Sequence, residues 1–524
     1  MNDIAVLDCT LRDGGYCNQW DFGVKNIQKV INGLVAANIN IIECGFITNK
    51  VVYSEDVSKY TQMDRLSRFI PKVDVGQLFV AMINYGEFDI DMLPECSNSP
   101  LNGIRIAFHK RDIKGAIEYC RQVKNKGYKL FVQPMVTMNY SDEEFIELID
   151  LVNEIAPYAF YIVDSFGTMR KNTLLHYFEL TRLYLDKGIA TGFHSHNNFQ
   201  SAYSNATSLL EQKCNHNIIL DSSIYGMGRG AGNLNTELLI NELNLEYGTN
   251  YLIKPILQLM DEVINHFYIE KPWGYSLPNY LSATHRIHPN YAMYLCEKNT
   301  LTVDAMDDIF SMLDRDKVTE YDASYIESVY EEYMSRGHVN SSNMDEFKNN
   351  LKNRCVLLVA PGKSSRLQKD KVVDFAGDKN PIVISINHSY EYLKADYIFV
   401  SNMRRYRELP ENREEKVIVT TNIESDDAYM NVDYYSLLNS SRTVKDNAGL
   451  MAIRLMINME CDKVFLAGYD GYEYEANENY ENRDLELIMS KKQIDGLNEG
   501  MKLVLGEISK EISIDYITKS RFEV

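Results

Sequence analysis

The chain has 524 residues, more than one ordinary hydrophobic core accommodates, so two or three domains are expected. Its composition, 45% hydrophobic and 24% charged with only 12 prolines, is that of a folded globular protein. The net charge of −20 splits into −15 before Leu351 and −5 from there onward, which excludes a basic nucleic-acid-binding module in either part. Nine cysteines without a Cys-x-x-Cys pair suggest reduced, mostly buried thiols. The opening Met1-Asn2-Asp3-Ile4 has neither the basic nor the apolar region of a signal peptide, and no uncharged apolar run reaches the ~18 residues of a membrane span. A cytoplasmic protein is expected.

From Ile4 to about Tyr247, short apolar runs alternate with longer amphipathic stretches. The strand-like runs are Ile4–Cys9, Ile41–Phe46, Gly76–Met82, Gly103–Phe108, Lys129–Met135, Ala159–Asp164, Ala190–His194 and Ile218–Ile224. Helix-period segments lie between them, such as Asn26–Ala37, with Ile27, Val30, Ile31 and Leu34 on one face, and Asp142–Glu154. Eight such units in about 250 residues favour a (β/α)8 TIM barrel over a doubly wound open sheet. The barrel is placed at residues 1–250, with functional residues expected at or just past the C-terminal ends of its strands. Residues 251–349 carry an apolar helical stripe (Ile256, Leu257, Met260, Val263, Ile264) and read as a helical appendage and linker. The polar run His338-Val339-Asn340-Ser341-Ser342-Asn343 suits a boundary loop. Residues 350–524 open with an apolar strand running into Ala360-Pro361-Gly362-Lys363-Ser364-Ser365, followed by strands at Pro381–Ile386, Tyr397–Val400, Val417–Thr420 and Lys463–Ala467. That pattern implies a Rossmann-like α/β domain.

Two segments of the barrel carry chemistry. The first strand runs into Leu7-Asp8-Cys9-Thr10-Leu11-Arg12-Asp13-Gly14-Gly15, and the seventh ends in Gly192-Phe193-His194-Ser195-His196-Asn197. A period of two turns both imidazoles of His-x-His to one face, and barrel closure brings the two strand ends onto one rim. One carboxylate (Asp13) and two imidazoles (His194, His196) suit a divalent ion with positions left for substrate. Such an ion polarises a 2-keto acid, and Arg12 places permanent positive charge beside the developing oxyanion. After the eighth strand comes Gly226-Met227-Gly228-Arg229-Gly230-Ala231-Gly232-Asn233, where Gly228 and Gly230 permit close approach to a ligand and Asn233 offers an amide oxygen to the metal. Glu43, before Cys44-Gly45 at the end of the second strand, serves either the site or a structural hydrogen bond. His285, His288 and Tyr291 either cap the barrel mouth and bind substrate or form a polar helix end stopped by Pro289.

These three motifs, in this order, resemble the DRE-TIM metallolyase superfamily, which includes hydroxymethylglutaryl-CoA lyase, isopropylmalate and homocitrate synthases and 4-hydroxy-2-oxovalerate aldolase. The resemblance covers about residues 1–300. It implies a TIM barrel whose divalent ion (Mn, Mg, Zn or Co) is held by Asp13, His194 and His196 with Asn233 nearby. It also implies an enolate stabilised by Arg12, and it matches Glu43 to the family's strand-two acid. In the hydroxyoxovalerate aldolases a histidine base closely follows the Arg-Asp-Gly motif. Here Gly15-Tyr16-Cys17-Asn18-Gln19-Trp20 follows. Tyr16 either takes the proton role, with a phenol lowered by the metal and Arg12, or hydrogen-bonds substrate. The chain lacks the distinct regulatory region of an isopropylmalate synthase, which favours an aldolase or lyase acting on a 2-keto acid and an aldehyde over an acyl-CoA-dependent synthase. A homo-oligomer is expected.

The C-terminal region resembles, more faintly and over about residues 353–515, the sialyltransferase-like Rossmann domains of bacterial surface-glycan enzymes. The resemblance implies a nucleotide or nucleotide-sugar partner. Gly362 and Ser364 would receive phosphate, while Asn387, Asn402 and Asn447, at strand ends, would read the nucleoside. The family's late catalytic histidine has no counterpart in Leu487-Ile488-Met489-Ser490-Lys491-Lys492, so the expected module binds without transferring. A sugar-linked aldehyde in surface-polysaccharide synthesis, and a nucleotide-sensing or scaffolding domain, are the corresponding functional expectations.

Overall fold

The computed structural model describes residues 3–71, 76–213, 215–298, 300–337, 343–475, 477–487 and 489–523. Two compact units emerge, one of residues 1–293 with 318–320 and one of residues 294–317 with 321–524.

Apolar, β-branched runs build the first unit. Its strands are Ile4–Asp8, Ile41–Ile47, Leu78–Asn84, Gly103–Phe108, Lys129–Pro134, Ala159–Asp164, Ala190–Ser195 and Ile218–Ser222. Each pairs in parallel with the next, and the eighth closes on the first through Ile4↔Ile218 to Asp8↔Ser222. The (β/α)8 barrel expected from the alternation is therefore present. Strands covered on both faces must be apolar almost throughout. Leu7, Ile41, Val80, Phe131, Tyr161 and Ile219 fill the barrel interior, while the opposite parity packs on helices. Helix Val24–Ala36 buries Ile27, Val30, Ile31 and Leu34. Helix Asp142–Ile155 starts from a reciprocal cap, Ser141 accepting from Glu144 N while the Glu144 carboxylate accepts from Ser141 N.

One barrel feature was not legible as a strand. Lys59–Tyr60 pairs alongside the second strand through Phe46↔Lys59, where the register shifts between Glu43 and Phe46. Gly45 makes this possible. Its φ is +137°, and a Cβ there would stand 2.1 Å from the Ser58 carbonyl oxygen.

The stretch 251–349 contributes helices to both units. Ile253–Leu259, a π-turn at Met260–Ile264, Asn265–Glu270 and Leu277–His285 belong to the first. Val303–Ser311, Ala323–Met334 and Met344–Leu351 belong to the second. Of the expected boundary loop, residues 338–342 lie outside the described residues, and Asn343 immediately precedes helix Met344–Leu351.

The second unit is built on a parallel seven-stranded sheet in the order Met430–Val432, Lys416–Thr420, Tyr397–Val400, Ile382–Ile386, Val356–Val359, Lys463–Ala467, Ser513–Tyr516. The two edge strands have too few residues, or too many polar ones, to show a strand pattern.

The expectation of mostly buried thiols is corrected. Among the described cysteines Cys9, Cys44 and Cys120 are buried, but Cys17, Cys96, Cys296, Cys355 and Cys461 are half-buried, because they sit in turns or at element ends. All eight are free, and Cys214 lies outside the described residues. Among the described residues no helix is long and apolar enough to cross a membrane.

Candidate metal centre

The first strand ends in a tight turn, with Arg12 N and Asp13 N both donating to the Cys9 carbonyl at 3.1 and 2.8 Å. That turn delivers Asp13 to the rim, where the seventh strand delivers His194 and His196. Ligand atoms of these three buried residues lie within 4.8 Å of one another. Ligands on one cation with bonds of ~2.1 Å sit about 3–4 Å apart, so a rotamer adjustment of under about an ångström brings them into one coordination sphere.

The free valences decide what fits. Asp13 Oδ2, His196 Nδ1 and Asn233 Oδ1 are buried without a hydrogen-bond partner in the protein. Each such orphan costs ~1–3 kcal/mol. All three are electron-pair donors, a set that suits a divalent cation rather than an anion or a donor-rich ligand. His194 Nδ1 is 2.9 Å from Asp221 Oδ2, which assigns the proton to Nδ1 and leaves Nε2 for a metal. Burial alone would raise the Asp13 carboxyl. Arg12, with the two histidines and Arg229, instead holds it well below the usual range. Burial also drives His196 down to about 3, against the pull of Asp13, so its imidazole is neutral and able to ligate.

Arg12 is clamped. Its Nε donates to Glu43 Oε2 at 2.9 Å and its Nη1 to Asp13 Oδ1 at 2.6 Å, while Nη2 is buried with no partner. Glu43 Oε2 also accepts from Arg105 Nη1 at 2.7 Å, and Arg105 Nη2 pairs with Asp221. Glu43 therefore positions Arg12. The chain Arg12–Glu43–Arg105–Asp221–His194 ties the cationic and ligand sides of the site together inside the barrel. Arg105 and Asp221 were missed by sequence reasoning. Their signal was a charge inside an otherwise apolar strand, Gly103–Phe108 and Ile218–Ser222 respectively.

The glycine loop lies against this centre. A Cβ on Gly228 would stand 2.4 Å from Asn233 Nδ2 and 2.8 Å from Asp13 Oδ2, so only glycine leaves room for both. Gly230 has φ +66° and abuts Asn198 Oδ1, which also accepts from Ala231 N at 3.0 Å. Arg229, also missed, donates from Nη2 to the Ser165 carbonyl at 2.9 Å and stands 5.5 Å over the Tyr16 ring. Tyr16 is at the rim, 37% exposed and edge-on to Trp20. Desolvation pushes its phenol up, with Arg229 opposing. Arg12 also opposes that rise, and both readings of Tyr16, proton transfer or hydrogen-bonding to substrate, are compatible with its place at the rim.

Of the capping cluster, His285 ends helix Leu277–His285. His288 is held down to about 3 by burial and then by Arg229. Tyr291 is fully buried, and its hydroxyl donates to the Glu320 carbonyl at 2.7 Å. That hydrogen bond ties helix Pro289–Glu297 to Glu320.

In the second unit the expected phosphate turn is already filled. Ser364 N donates to Asp470 Oδ2 at 2.6 Å, the Ser364 hydroxyl also pairs with Asp470, and a Cβ on Gly362 would stand 2.1 Å from the Gly468 carbonyl. The Asp470 carboxylate takes the Ser364 N–H that the sequence reading assigned to phosphate. Asn402 and Asn447 each have a local structural use. They are helix caps, accepting from Arg405 N at 2.9 Å and Leu450 N at 3.2 Å. Asn387 adopts φ +57°, which asparagine tolerates, and its Oδ1 has no partner. In the stretch expected to correspond to the histidine region, residue 488 lies outside the described residues.

Fold and geometry together define a parallel (β/α)8 barrel with a candidate Asp–His–His cation site at its strand C-termini. The HMGL-like family model matches residues 3–262, and this segment is an HMGL-like domain, in agreement with the DRE-TIM resemblance of its motifs. A 4-hydroxy-2-oxovalerate aldolase of Geobacillus thermodenitrificans is 24% identical over 277 residues, covering 50% of this chain and 79% of its own. An oxaloacetate decarboxylase of Mycobacterium tuberculosis is 24% identical over 242 residues, covering 45% and 69%. Among solved structures, an HMG-CoA lyase from Brucella melitensis aligns with a TM-score of 0.40 at 15% identity, covering 49% of this chain and 96% of its own.

Proposed function

We propose that the first unit is a divalent-metal-dependent aldolase or lyase that forms or cleaves a carbon–carbon bond through a pyruvate-type enolate, in the manner of a 4-hydroxy-2-oxovalerate aldolase. The observation that carries this reading is the convergence of buried, unpartnered electron-pair donors on Asp13, His196 and Asn233 beside an arginine with one free nitrogen. A bound cation would supply Lewis acidity toward the keto and carboxylate oxygens of a 2-keto acid. Asp13, His194 and His196 would hold it, with Asn233 as a further oxygen ligand. Nitrogen and oxygen donors of this kind accept Mn, Mg, Zn or Co.

Arg12 then does the charge work. Its Nε and Nη1 are fixed by carboxylates, so Nη2 is preorganised to meet an oxyanion without reorganisation. Across the rim, Phe46, Met82 and Ala107 form an apolar cluster with Trp20 and Met135, a surface suited to the carbon skeleton of the substrate. The relatives' names support the reading. Hydroxyoxovalerate cleavage and oxaloacetate decarboxylation both break a bond one carbon removed from a 2-keto group, and both pass through pyruvate enolate.

The test needs no knowledge of the aldehyde. The full chain with added Mn²⁺ is expected to exchange the methyl protons of pyruvate with deuterium oxide solvent, followed by proton NMR, and the exchange should vanish with chelator. Exchange at the uncatalysed rate with every divalent ion tried would remove the aldolase reading.

A further inference from the structure

An enolate-forming site needs a group that accepts a proton from carbon, and the residues already placed do not supply one. No histidine lies between the Arg12–Asp13 turn and His109, and burial raises the Tyr16 phenol. The barrel strands point to another group. Arg105 is fully buried inside the barrel and Ala107 belongs to the apolar cluster at the rim. With a period of two, the next position on that face is His109, which immediately follows strand Gly103–Phe108 at its C-terminal end.

His109 is placed to be both accessible and oriented. Its side chain is 26% exposed, and its Nε2 lies 3.2 Å from Glu320 Oε1, which is also paired with Arg111. With Nε2 turned to that carboxylate, Nδ1 is the ring nitrogen left to accept a proton from carbon. Arg229 links this group to the metal centre, because it stands over Tyr16 and its charge acts on Asp13 and His196 as well as on His109.

We propose that His109, oriented by Glu320, is the proton-accepting residue of the barrel site. This rests on the aldolase reading given above. In pyruvate exchange, His109 Nδ1 takes a proton from the methyl carbon. The C–H electron pair moves into the enolate, whose oxygen charge Arg12 opposes. After the imidazolium trades its proton with solvent, it returns a deuteron to the same carbon. The protonation state agrees with this role. Burial lowers the imidazole, Glu320 and Asp112 oppose that shift, and Arg111 and Arg229 add to it, so the ring is neutral at pH 7.

Three versions of the full chain with Mn²⁺ and pyruvate test the proposal: wild type, His109→Gln and Glu320→Gln. His109→Gln is expected to slow methyl exchange ~10²–10⁴-fold, the range for loss of a positioned base, with Mn²⁺ affinity unchanged by titration. Glu320→Gln removes the nearest carboxylate, so the acid limb of the exchange rate should move to lower pH. A purely structural ion pair would leave that limb in place. Wild-type exchange in His109→Gln would overturn the assignment of the base, and an unmoved limb in Glu320→Gln would overturn the orienting role. If the Mn²⁺-bound wild type itself does not exchange, the aldolase reading falls, and His109 as base falls with it.

Discussion

At the scale of single residues the site is an arrangement of clamped charges. Arg12 has two of its nitrogens committed to Glu43 and Asp13, which fixes the direction of the third. Lysine would keep one positive charge but not the planar fork. Arg12→Lys is therefore expected to bind Mn²⁺ normally and to lose ~10²–10³ in the rate of pyruvate exchange, the usual effect of losing one oxyanion donor. Near-normal exchange would reduce Arg12 to a structural partner of Glu43. Asp13, His194 and His196 were legible in the sequence because a two-residue period and barrel closure suffice to bring them together. Arg105, Asp221 and Arg229 were not. Arg105 and Asp221 are 116 positions apart and meet only across the barrel interior, so neither shows what it pairs with until the strands are in place. The asparagines of the second unit show a structural use that the motif did not reveal. Asn402 and Asn447, at strand ends, cap the helices that follow.

At the scale of elements, the long apolar runs gave the eight barrel strands to within a few residues, since each is buried on both faces. What escaped were pieces shaped by contacts rather than by pattern, such as Lys59–Tyr60 beside Gly45, Met430–Val432 and Ser513–Tyr516. The loop after the sixth strand shows how such pieces are held. Asp164 accepts from Thr168 N and Met169 N, both at 3.0 Å, and burial nevertheless raises its carboxyl to about 7. In the unfolded chain the same group titrates at about 3.9. Because the folded value is the higher one, its contribution is complete below about pH 4, declines as pH rises toward 7, and is flat above that. Asp164→Asn cannot ionise. Relative to this variant, the wild type should lose stability between pH 5 and pH 8, as measured by urea unfolding at the two values. An equal difference at both would show that the carboxyl is ionised throughout.

At the scale of the whole molecule, the first unit brings together an Asp–His–His set able to hold a cation, and the second is a parallel α/β unit whose Gly-Ser turn is closed by its own Asp470. The filling of that turn depends on a residue 106 positions away and was not readable from the motif. The central claim is that Asp13, His194 and His196 hold a divalent ion against which a 2-keto acid binds. Paramagnetic relaxation tests both halves at once. Mn²⁺-loaded wild-type protein should strongly enhance relaxation of the pyruvate methyl protons, and a folded His194→Ala/His196→Ala variant should lose both tight Mn²⁺ binding and the enhancement. Equal Mn²⁺ affinity and equal enhancement in the two proteins would contradict the account.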